Sequence, residues 1–187
     1  MQDKPNQEET NIKLEIGEYV YYFQSMCRSM ESLILTILRW CGLNNDDIGR
    51  ILIGNLGADK LRTVSIHMFK SFVILKDAEN QIIDKGFSLI QKIIEERNKI
   101  VHSTWYIHKD GYCEVGSSYK ISGKGKELVS QYTKNKLDEE DEKCILARNL
   151  LNILQAVILF DKADLISESF EIFEGELKTK KENMHSD

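Results

Sequence analysis

The stretch "IIEERNKIVHSTW", residues 93 to 105, decides how this chain is read, because its arginine sits where a helix ought to be apolar. With an advance of about 100° per residue, Ile82, Ile83, Phe87, Leu89, Ile90, Ile93, Ile94, Ile100 and Val101 share one broad arc, and Arg97 falls near its middle. Gln91, Lys92, Glu95, Glu96, Lys99 and His102 fill the opposite face, and Asn98 lies at the seam, one helical turn before His102. A guanidinium does not shed its proton. Its place inside an apolar arc therefore requires a carboxylate, a phosphate or a wet subunit interface to receive it.

The rest of the chain reads as helix with one interruption. Ile16, Val20, Phe23, Cys27, Met30, Ile34, Ile37 and Cys41 recur at spacings of three and four, and Gly42 offers a C-terminal stop, so one long helix is expected. Asn45 followed by Asp46 and Asp47 reads as a cap and acidic first turn for a short helix to about Gly54, with Gly57 as the next break. Leu61, Val64, Met68, Phe72 and Leu75 form the stripe of a third helix, and the arginine-bearing helix runs from about Glu79 to His102. The texture then turns to β. Trp105–Ile107 and Tyr112–Val115 flank "HKDG", whose Asp110-Gly111 pair favours a tight hairpin, and Tyr119–Ile121 extends it. Ser122–Glu127 reads as a mobile loop, and its Gly-Lys pairs do not form a phosphate loop, because the spacing from Gly116 is wrong and no Ser/Thr follows the lysine. The acidic run from Asp138 to Glu142 suits the positive end of a helix dipole and is expected to open a long final helix carrying Ala147, Leu151, Leu154, Ile158 and Leu165. The charged tail after Glu174 is expected to fray, as is the extreme N-terminus.

These patterns predict an all-α bundle of about five helices with a small β-hairpin inserted before the last long helix. At 187 residues, 42% hydrophobic and with one proline, the chain suits a single domain with a core over about residues 12–173 and the hairpin and loop at about 104–136. The opening "MQDKPNQEET" has no secretory pattern, and the most apolar late run, Leu150–Phe160, is short for a bilayer span and holds Asn152 and Gln155. A cytoplasmic protein with no membrane partner is the expectation. The cysteines at 27, 41, 113 and 144 form no C-x-x-C pair and no metal-like grouping with His67, His108 or His185, so reduced cysteines and no metal or other cofactor are expected.

Arg97, Asn98, three further residues and then His102, at a helix end and followed by Trp105, resemble the R-x4-H signature of HEPN domains. The long first and last helices are similar to that family's plan as well. The resemblance implies a small all-helical domain that dimerises, and an activity as a metal-independent endoribonuclease of a toxin, antiviral or RNA-processing system. It also implies that a cognate antitoxin or regulatory protein exists as a partner. Arg97, Asn98 and His102 are then the catalytic residues.

The chemistry suits those residue types. RNA is cleaved when its own 2′-hydroxyl attacks the adjacent phosphorus, which calls for a proton acceptor, a proton donor and a stabiliser of phosphate charge. Histidine, with an ordinary pKa near 6.5, accepts or donates a proton at neutral pH. Arginine offers a fixed fork of donors to phosphoryl oxygens, and Asn98 could orient His102 or bind the phosphate. One chain supplies one such set, so a two-fold dimer would bring a second histidine for the complementary proton step.

Competing readings stand beside this one. Arg97 could form a structural ion pair with Glu31 of the first helix or with another carboxylate, and His102 could simply end its helix, where a cation is favourable. The domain would then be a silent module that dimerises or holds a partner protein, or a nucleotide-sensing domain that binds phosphate at Arg97 without cleaving it. Trp105 could stack on bases or pack the hairpin against the helices. The formal net charge of −5 argues against indiscriminate nucleic-acid binding, yet residues 97–136 hold eight basic against three acidic residues. Lys99, Lys124 and Lys126 are therefore candidate RNA contacts, or else solvated loop lysines.

Overall fold

A computed structural model describes residues 7–110, 113–121, 127–160 and 166. Five helices and one sheet appear in the order α1 (Gln7–Trp40), α2 (Asp46–Ile53), α3 (Ala58–Phe72), α4 (Asp77–Val101), β1 (Thr104–Asp110), β2 (Cys113–Ile121), β3 (Glu127–Tyr132) and α5 (Lys134–Phe160). The fold is all-α with a small antiparallel insertion before the last helix, as the hydrophobic periodicity predicts.

Local chemistry sets most of the boundaries. Gly42 adopts φ +96°, a left-handed conformation that terminates α1 and that other residues adopt only with strain. The Asn45 side chain accepts from the amides of Asp47 and Ile48 at 3.0 and 3.3 Å and so caps α2. Glu79 reaches back to the Lys76 amide at 2.8 Å, which starts α4 at Asp77, two residues before the expected start.

The insertion is a three-stranded sheet of order β1-β2-β3. Its register runs from Thr104↔Tyr119 to Asp110↔Cys113 on one side and from Gly116↔Tyr132 to Ile121↔Glu127 on the other. Gly111, at the expected turn, and residues 122–126 of the expected loop lie outside the described residues. Glu127 opens a third strand rather than ending a loop, because β2 is long enough to offer its second edge to Leu128–Tyr132. The final helix begins at Lys134 rather than at Asp138: Thr133 acts as its cap, accepting from the Lys136 amide at 3.3 Å, and the acidic run falls past the first turn.

The chain divides into two compact units, Met1–Ser25 with Lys92–Ile145, and Met26–Gln91 with Leu146–Asp187. In the first, Ile12, Tyr19 and Phe23 of α1, Ile93, Ile94 and Ile100 of α4, Tyr132 of β3, and Leu137 and Cys144 of α5 are buried. The Tyr19 hydroxyl donates to the Ile93 carbonyl at 3.2 Å. Gly116 permits a close approach within the sheet, since a Cβ there would stand 2.7 Å from the Trp105 ring and 3.3 Å from Ile12. In the second unit Met30, Leu33, Ile34 and Ile37 join Phe69, Ile83, Phe87, Ile90, Leu151 and Leu154 in the core. Along α3 Leu61 of the expected stripe is buried, but the buried line continues through Ser65 and Phe69, while Phe72 is 38% exposed and Leu75 lies beyond the helix. Gln155 of α5 donates to Thr36 at 3.0 Å and accepts from Ser32 at 3.2 Å.

Helix α5 is long and apolar enough, by length and composition, to cross a membrane, so the short run counted in the sequence understates it. Its apolar side chains Ala147, Leu150, Leu151, Leu154, Val157 and Ile158 are buried within the protein. Leu165, the expected termini and the tail after Glu174 lie outside the described residues.

Candidate functional site

The apolar arc of α4 carries Arg97 into partial burial, and its surroundings come from two elements of the first unit. Beneath it lies Phe23 of α1, itself 3% exposed, with the guanidinium carbon 5.5 Å from the ring centroid. A cation over an aromatic face gains from the ring quadrupole while shedding part of its water. Arg97 Nε is buried with no hydrogen-bond partner among the described residues. At the outer end Nη1 donates to Asn98 Oδ1 at 3.2 Å and stands 3.1 Å from His102 Nε2. Because a guanidinium is only a donor, this contact is a hydrogen bond when His102 Nε2 is the acceptor.

The three residues expected to act together are therefore brought together. Asn98 and His102 are exposed, and His102 closes the helix through its amide, which donates to the Asn98 carbonyl at 3.3 Å. Among the described residues Arg97 makes no ion pair with a carboxylate. The structural ion pair is thus not what receives the guanidinium. Glu31 lines a cavity of the second unit instead.

The neighbouring carboxylate, Glu96, faces elsewhere. It accepts from the Tyr132 hydroxyl at 2.6 Å and from Lys99 Nζ at 2.7 Å. Burial pushes the Glu96 carboxyl up, and the hydrogen bonds from Lys99 and Tyr132 more than reverse it, leaving the group below the usual carboxylate range. Burial, followed by the Glu96 bond, raises the Tyr132 hydroxyl. Sequence periodicity placed Glu96 on the polar face and carried no sign of this partner, which lies 36 residues downstream.

The remaining candidates are placed as follows. Lys99 is paired with Glu96, its side chain 55% exposed. Trp105 is engaged by the protein: its indole N–H donates to the Ile100 carbonyl at 2.7 Å and its ring meets Tyr132 at a centroid distance of 5.2 Å. That ring contact is the packing use of the residue. Lys124 and Lys126 lie outside the described residues. Of the other lysines in the basic segment, Lys134 pairs with Glu15 at 2.8 Å and Lys136 lies 4.2 Å from the centre of the Tyr132 ring. Among the described residues no group of three or more His, Cys, Asp or Glu side chains could hold a metal ion.

Chemically, the arrangement presents one fixed guanidinium, one imidazole and one carboxamide to solvent from the last turn of a helix. Such a set can bind an oxyanion and exchange a proton beside it. Comparison with protein-family models, with characterised proteins and with solved structures gives no match.

Proposed function

We propose that the chain is a dimeric, metal-independent endoribonuclease of the HEPN type, with Arg97, Asn98 and His102 as its catalytic residues. The observation that supports this best is the 3.1 Å contact between Arg97 Nη1 and His102 Nε2, made by a guanidinium that has no carboxylate partner among the described residues. An arginine held for structural charge balance would face an acid; this one faces a proton carrier and a carboxamide.

In the proposed reaction the substrate's 2′-oxygen forms a bond to phosphorus while the bond to the 5′-oxygen breaks. One histidine takes the proton of the 2′-hydroxyl, and a second gives a proton to the departing 5′-oxygen. A second copy of the chain, related by a two-fold axis, supplies that second histidine. Arg97 carries the negative charge that builds on the phosphoryl oxygens, and substrate phosphate replaces His102 and Asn98 as acceptor of its Nη1 proton. The products end in a 2′,3′-cyclic phosphate. A cytoplasmic toxin or phage-defence effector, held in check by an antitoxin or regulatory protein, fits such an activity.

The test is cleavage of a mixed RNA substrate by the purified protein in EDTA, with solution mass measured alongside. Cyclic-phosphate products from a dimer, abolished in His102→Ala with helix content unchanged, support the reading. Intact RNA, equal cleavage by His102→Ala, cleavage that requires a divalent ion, or a monomeric mass would each overturn it; intact RNA from a dimer favours the silent interaction module.

A further inference from the structure

The second unit holds a cavity of about 400 Å³ between one face of α1 and the end of α2. Arg28, Glu31, Leu35 and Arg39 line it from α1 at spacings of three and four, so they share one face. Arg50 and Ile53 face them from α2. The helices approach closely because Gly49 is buried: a Cβ there would lie 2.5 Å from Leu35 Cδ2. At one end the Arg39 fork clamps the Asp46 carboxylate through both Nε, at 2.8 Å, and Nη2. That pair engages Arg39.

Arg28, Arg50 and Glu31 are held by no such clamp, although the charge of Arg50 acts on Asp46. Among the described residues none of the three makes a side-chain hydrogen bond or an ion pair, although Arg28 and Glu31 are one turn apart on the same helix face. Arg28, Arg39 and Arg50 thus line one concave space together with Glu31, an excess of positive charge that an incoming anion would balance. A guanidinium fork matches the geometry of a phosphate group better than an ammonium does. Glu31 adds the opposite requirement, since an ionised carboxylate only accepts hydrogen bonds and so calls for a hydroxyl or N–H on the same ligand. Leu35 and Ile53 offer an apolar wall to a carbon skeleton, and the volume lies in the range of roughly 300–1,000 Å³ usual for small-molecule sites. The geometry points to a binding site for a phosphorylated polyol, with Arg28 and Arg50 on the phosphate and Glu31 on its hydroxyls.

Two sources share that chemistry, a sugar phosphate and a nucleotide. The site uses none of the residues assigned to RNA cleavage, so its fate and that of the ribonuclease reading are separable. Isothermal titration of the full chain at low ionic strength with inorganic phosphate, ribose 5-phosphate and adenosine 5′-monophosphate tests it. Both organic phosphates should bind more tightly than inorganic phosphate; a further gain for the nucleotide identifies that source, and equality of the two identifies the sugar phosphate. Arg28→Gln and Arg50→Gln should each weaken binding about tenfold, the loss expected for one charge-assisted contact. Both side chains are exposed, so these variants are expected to fold. Glu31→Gln should tighten inorganic phosphate by removing a like charge and narrow the preference for ribose 5-phosphate. Absence of binding, unchanged affinity in both arginine variants, or inorganic phosphate binding as tightly as its esters overturns the proposal.

Discussion

The hydroxyl of Tyr132, the last residue of β3, donates a 2.6 Å hydrogen bond to Oε1 of Glu96, the residue immediately before Arg97. Within the first unit this bond ties the sheet to the final turns of α4, so the inserted strands help to set the helix end from which the candidate site projects. Trp105 reinforces the link from the other side of Tyr132, through its ring and through the Ile100 carbonyl.

Tyr132→Phe should destabilise the protein by about 1.5–3 kcal/mol at neutral pH, because it leaves a partly buried carboxylate oxygen unpaired. Glu96 is held below its ordinary pKa in the folded state, so its contribution is present above the unfolded value and is lost as pH falls through the folded one. The difference between variant and wild type in urea denaturation should therefore shrink in acid. A constant difference across pH would show that the tyrosine ring, not the bond to Glu96, carries the effect.

Asp141 is 7% exposed, its Oδ1 has no hydrogen-bond partner among the described residues, and burial, followed by the charges of Asp138, Glu18, Glu15 and Glu140, pushes its carboxyl up to about 7. A carboxyl raised from its ordinary 3.8 contributes stability that is full below that value, declines as pH rises and is gone above about 7. Asp141→Asn should accordingly raise the melting temperature at pH 8 by about 2–4 °C, the shift worth ~1 kcal/mol in a chain of this size, and change it little at pH 4. Thermal unfolding followed by circular dichroism at the two pH values decides it, and a loss of stability at pH 8 would contradict the assignment.

Gly86 lies on α4 where a Cβ would come within 2.0 Å of Leu150 Cδ2, and Leu150 is itself 4% exposed. Gly86→Ala would ordinarily favour a helix interior; here it should cost about 1–3 kcal/mol through overpacking. The cost of Gly86→Ala should be smaller when it is introduced into a Leu150→Ala background than into wild type, in the same denaturation experiment.

Arg97→Lys retains the positive charge and removes the fork. An ammonium cannot keep a planar group over Phe23 while reaching both Asn98 and His102, so RNA cleavage should fall by about 10²-fold or more with helix content unchanged. Cleavage within a few-fold of wild type would show that charge alone suffices at this position.

Much of the fold was legible because it is written locally. The long first helix, the Gly42 stop, the Asn45 cap and the arc of α4 depend on residues within one or two turns of each other, where periodicity and capping chemistry act directly. The spacing of Arg97, Asn98 and His102 could also be read, since residues at one helix end stay together wherever the helix goes. The third strand and the true start of α5 were not read: β3 exists because a distant strand edge accepts it, and Thr133 was overshadowed by the acidic run that follows it.

What the sequence by itself determined is that Arg97 lies on an apolar helix face and needs a recipient for its charge. Which recipient it has was a tertiary matter. Phe23, far away in sequence on α1, supplies the surface beneath the guanidinium, and the neighbouring Glu96 is engaged by Tyr132. The physical reason is range: hydrophobic periodicity assigns a side chain to a face, whereas the partner on that face is set by which remote segments the packed core brings within a few ångströms.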